Sequence, residues 1–67
     1  MANIALVAKH KAWDGENVYD IIYNTGIIRK VVGDAKLPKT AAAFIKRAAH
    51  ANQIWNRTHK HWETVYK

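Results

Sequence analysis

The stretch Lys39–Tyr66, KTAAAFIKRAAHANQIWNRTHKHWETVY, decides how the rest of the chain is read. Ala41, Phe44, Ala48, Ala51, Trp55, Thr58, Trp62 and Val65 recur in it at alternating steps of three and four, the spacing of an apolar stripe on a helix. Lys39, Lys46, His50, Gln53, Arg57 and Lys60 follow the same repeat on the other side. No glycine or proline interrupts the pattern. It predicts one long amphipathic C-terminal helix over residues 38–66, entered through Leu37-Pro38, because proline suits the first helical turn and disfavours helix in the residue before it. Asn52, Asn56 and Thr58 have poor helix propensity, so a bend or break is expected near Asn56.

Working outward, the segment before this helix reads as a sheet built to receive it. Ile4 to Ala12 alternates, with Ile4, Leu6 and Ala8 on one face and Val7, Lys9 and Lys11 on the other, the period of a half-buried strand. Asp14-Gly15 supplies a turn, and Val18 to Tyr23 is rich in β-branched and aromatic residues. Asn24-Thr25-Gly26 turns again into a third strand over Ile27 to Val32. The expected fold is α+β: a three-stranded antiparallel β-meander over residues 1–35, then the helix, in a single small domain of 67 residues.

Length adds a constraint. About 27 helical residues rise roughly 40 Å, whereas a six-residue strand covers roughly 20 Å. The half of the helix carrying Trp55, Trp62 and Tyr66 would outrun its own sheet. It then needs either a fold-back near Asn56 or a partner.

Composition narrows the chemistry. The chain has no cysteine and no serine, and its five acids are scattered, so the usual nucleophile arrangements are missing and no enzyme is expected. On a helix, His59 and His61 stand two apart and point away from each other, so no metal or other cofactor is expected either. No run approaches the roughly 20 apolar residues of a membrane span, and the apolar N-terminal stretch precedes rather than follows its positive charges. A soluble, cytoplasmic protein without a membrane partner is the expectation.

The net charge of +6 lies unevenly. Residues 1–35 balance four cations against four acids, while residues 36–67 carry seven cations against Glu63 alone. This favours an anionic partner: nucleic acid, DNA before RNA, or an acidic protein surface. The candidate nucleic-acid-binding residues are Lys39, Lys46, Arg47, His50, Arg57 and Lys60 on the helix, helped by Lys9, Lys11, Arg29 and Lys30 on the sheet. The alternative is a small inhibitor or adaptor, of the kind phages and mobile elements carry, that binds a protein through Trp55, Trp62 and Tyr66. The heptad-like stripe also permits a homodimer through the helix.

Gly26-Ile27-Ile28-Arg29, followed by Lys39-Thr40-Ala41-Ala42-Ala43, resembles the turn, third strand and helix start of integrase-arm DNA-binding modules, over about residues 5 to 52. The resemblance implies a three-stranded sheet set into the major groove. The long C-terminal stretch is foreign to that pattern.

Overall fold

A computed structural model describes residues 3–67; Met1 and Ala2, the start of the expected 1–35 segment, lie outside the described residues. The chain forms β1 (Ile4–Lys11), β2 (Asn17–Tyr23), β3 (Ile28–Val32), a 3-10 turn (Asp34–Lys36), α1 (Lys39–Arg47), β4 (Ala51–Asn56) and β5 (His61–Tyr66). All five strands belong to one antiparallel sheet in the order β3-β2-β1-β5-β4.

This corrects the expected three-stranded meander with a long C-terminal helix. The helix has 9 residues and ends at Arg47, and the residues expected to continue it form the β4–β5 hairpin. The reason is tertiary. A continued helix would leave the open edge of β1 without a partner. The hairpin instead pairs Val7, Ala8 and Lys9 with Tyr66, Val65 and Thr64. Residues 54–66 include Ile54, Trp55, Thr58, Trp62, Thr64, Val65 and Tyr66, β-branched and aromatic types that suit a pleated surface. Helix propensity, a weak prior, yields even in an alanine-rich stretch, and Ala48 is already extended at φ −60°, ψ 128°.

The misleading signal is the spacing of seven between Trp55 and Trp62. It fits a helical stripe and equally fits two opposed residues of a hairpin closed by Arg57–Lys60. The Asn56 side-chain oxygen accepts a hydrogen bond from the His59 amide at 3.0 Å, and Lys60 takes φ +52°, so asparagine and a left-handed lysine make the reversal without glycine. A helical dimer seam is lost with the helix, because its residues are now split between α1 and two strands.

One face of the sheet carries the core. Val7, Tyr19, Ile21, Val31 and Ala41 are buried together, with Ile4, Tyr23, Leu37, Phe44, Ile45 and Tyr66 packed around them. Ala41, Phe44 and Ile45 stand three and four apart, one stripe of α1 against the sheet. A register shift between Ile4 and Leu6 turns Ile4 onto this face, away from the Ile4–Leu6–Ala8 set that strict alternation predicts. Tyr19 donates a 2.6 Å hydrogen bond to Asp34, which also accepts from the Asn17 side-chain Nδ2 at 3.0 and 3.2 Å. That cluster ties the connection between β3 and α1 to the middle of the sheet.

Candidate functional site

The nine-residue helix is too short to cover a five-stranded sheet. Strand alternation puts Lys9 and Lys11 of β1, Trp62 and Thr64 of β5, and Gln53 and Trp55 of β4 on the helix side, beyond the core. Lys9, Lys11, Gln53, Trp62 and Thr64, together with His10 and His61, line an open cleft of about 400 Å³. Trp55 and Trp62 meet edge to face with centroids 5.4 Å apart, yet remain 46% and 59% exposed. Trp13, two residues past Lys11, is 98% exposed in the turn between β1 and β2.

The cleft exists because the β1–β5 ladder stops at Lys9 and Thr64, while β1 runs on to Lys11 and β5 starts at His61. Beyond that point the two strands are bridged by side chains. His10 stacks on His61 with ring centroids 4.1 Å apart, and His59 stacks on the same ring at 5.7 Å. His61 Nε2 lies 3.1 Å from Glu63 Oε1, and the Asn56 amide donates to the same oxygen at 3.1 Å. With Asp20 and Lys30, these histidines and Glu63 line a smaller cavity of about 200 Å³ on the face away from the helix.

Burial, with the neighbouring His61, lowers the pKa of His10. Burial alone would raise the Glu63 carboxyl; the bonds from His61 and Asn56 outweigh it and hold the group below its ordinary value.

The residues expected to bind nucleic acid are dispersed. Lys39, Lys46 and Arg47 lie on α1, His50 in the link before β4, and Arg57 and Lys60 in the β4–β5 turn. The single basic helix face is therefore corrected: these six do not share a surface element. Arg29 and Lys30 are neighbours on β3 and so point to opposite faces. Lys9 and Lys11 do share a face and a cleft, and the Lys9 ammonium lies 5.9 Å from the Tyr19 ring centroid. Of the expected partner-binding residues, Trp55 and Trp62 form an exposed pair, while Tyr66 packs against the core. Sequence reasoning put Gln53 on the basic side of the expected helix and passed over Thr64 and Glu63, because the placement of all three depends on the hairpin register. It passed over His10 because that residue lies far along the chain from its partner His61.

No protein-family model matches the chain, and neither a curated protein nor a solved structure is significantly similar to it.

Proposed function

We propose that this protein binds single-stranded nucleic acid across the helix-free part of its helix-side sheet face. One observation carries the reading: Trp55 and Trp62 stand exposed beside a cleft whose other wall holds Lys9 and Lys11. Unpaired bases stack on aromatic side chains regardless of sequence, at about 1–3 kcal/mol per base, while cations follow the phosphates. Gln53 and Thr64 add hydrogen-bonding groups between the two. The net charge of +6 supplies the long-range attraction. Duplex DNA fits this surface less well, because paired bases offer no free face to stack on tryptophan.

The test is a titration of the protein with a thymine oligonucleotide, followed by tryptophan fluorescence at several salt concentrations. Quenching with an affinity that falls as salt rises is the expected result. Replacing Trp55 and Trp62 with alanine weakens binding by about tenfold or more. Absence of any oligonucleotide binding at low salt overturns the reading. The rival, a protein-binding inhibitor or adaptor, shares the two tryptophans but has lost Tyr66 to the core.

A further inference from the structure

We propose that His10, His61 and Glu63 form a binding site for a divalent transition-metal ion of the zinc class, bridging β1 and β5 where their ladder ends. The site opens on the face away from the helix, and its His10 and His61 also border the helix-side cleft; it rests on its own ligand atoms and not on the nucleic-acid reading.

The donor set is the first ground. His10, His61 and Glu63 each offer one ligand atom, and these atoms all lie within 4.8 Å of one another. Two imidazoles and a carboxylate are a protein ligand set for zinc, with the remaining position open to water or another side chain. Hard cations such as Mg²⁺ and Ca²⁺ favour oxygen ligands, and this site offers mostly nitrogen.

The second ground is an unmet bond. His10 Nδ1 is buried and has no hydrogen-bond partner among the described residues. The histidine stack and the His61–Glu63 contact could be a self-contained polar cluster, and such clusters are common. That reading accounts for His61, Glu63 and Asn56 but leaves the His10 nitrogen without a partner, which buried polar groups rarely are.

The third ground is position. His10 approaches from β1, and His61 and Glu63 approach from β5, across the gap left when backbone pairing stops after Lys9 and Thr64. A metal held by both strands would replace the missing ladder bonds with a cross-link. The near-parallel rings of His10 and His61, 11° apart, must rotate about their side-chain bonds to aim both nitrogens at one ion. The adjoining cavity of about 200 Å³ leaves room for that. His59 and Asp20 line the same cavity and are the available fourth ligands. Lys30, also on its wall, lies opposite Asp20 across β2 and β3, so the fourth position falls to His59 or water where Asp20 faces that charge.

The experiment is a calorimetric titration of the full chain with Zn²⁺, run beside nitrogen-detected NMR of its histidine side chains. One equivalent binds, and the His10 and His61 ring resonances shift while those of His50, in the link before β4, do not. His10→Ala and Glu63→Gln each weaken binding by about tenfold or more, and His50→Ala leaves the affinity unchanged. Zn²⁺ raises the thermal midpoint of the wild type, as any ligand of the folded state does. No saturable Zn²⁺ binding by the wild type, or saturable binding that shifts His50 and leaves His10 in place, overturns the proposal. Because the wild-type spectrum alone is decisive, a variant that fails to fold does not shield it.

Discussion

Trp55 and Trp62 are directly opposed across β4 and β5, with their rings edge to face at 66° and centroids 5.4 Å apart. The pair is one of six opposed pairs of the hairpin that completes the sheet, and it supplies the aromatic surface beside the Lys9–Lys11 cleft. Edge-to-face aromatic pairs contribute about 0.5–1.5 kcal/mol beyond their buried area. With both rings about half exposed, a double-mutant cycle on Trp55→Ala and Trp62→Ala is expected to give a coupling near the lower end, about 0.5 kcal/mol, by urea unfolding. A coupling of zero would show that the two rings are merely neighbours.

Charge reversal tests where the proposed nucleic-acid surface lies. Lys9→Glu with Lys11→Glu is expected to abolish oligonucleotide binding at moderate salt, because it reverses the sign of one cleft wall. Lys39→Glu with Lys46→Glu makes the same change in net charge on the helix and is expected to weaken binding only modestly. Equal losses from the two double variants would mean that overall charge, rather than the cleft, attracts the ligand.

The Tyr19–Asp34 bond makes stability depend on pH at both ends of the range. Burial, reinforced by the bond to Asp34, pushes the Tyr19 hydroxyl up to about 12 from its ordinary value of 10.0. The folded pKa is the higher one, so the stabilisation is complete below 10 and is lost as pH rises towards 12. The bonds from Tyr19 and then Asn17 hold the Asp34 carboxyl below its ordinary value of 3.8, so its contribution is present above that value and is lost as acid protonates the folded state. Tyr19→Phe is expected to lower the denaturation midpoint at neutral pH and to flatten both limbs of the profile. Phenolate absorbance should show one late-titrating tyrosine in the wild type that is missing from the variant.

Gly33 is the least replaceable glycine. It sits at φ 91°, ψ 140°, a region that is nearly glycine-only, and an added Cβ would come within 3.2 Å of Glu16 Oε2. Its amide also donates to the Asn17 carbonyl at 2.8 Å, so the backbone is held in place. Gly33→Ala is expected to cost about 1–3 kcal/mol in chemical denaturation. Because Glu16 is a flexible, exposed side chain, adding Glu16→Ala should recover only a small part of that loss.

Lys60 offers a change of the opposite sign. Its φ of 52° places a side chain in the left-handed region, at a cost of about 1–2 kcal/mol. Lys60→Gly is expected to stabilise the hairpin by about 0.5–1 kcal/mol, after allowing for the extra freedom glycine gives the unfolded chain. Thermal unfolding checks it, and a lowered midpoint would show that the Lys60 side chain makes a contact that outweighs the strain.

The strand segments before residue 33, the helix entrance at Pro38 and the net charge were legible from local residue type alone: alternation, turn formers, a proline and ionisable groups. The sequence also marked Trp55 and Trp62 as aromatic surface that a short sheet does not hide, and the hairpin leaves both about half exposed. What followed Arg47 was decided only by tertiary structure. Seven-residue spacing is compatible with a helix face and with a four-residue hairpin, and the open edge of β1 breaks the tie by offering backbone partners that no local pattern encodes. The same pairing brings His10 to His61 and Lys9 to Thr64 from opposite ends of the chain. Both candidate sites are products of strand register, which forms only when the chain has closed on itself.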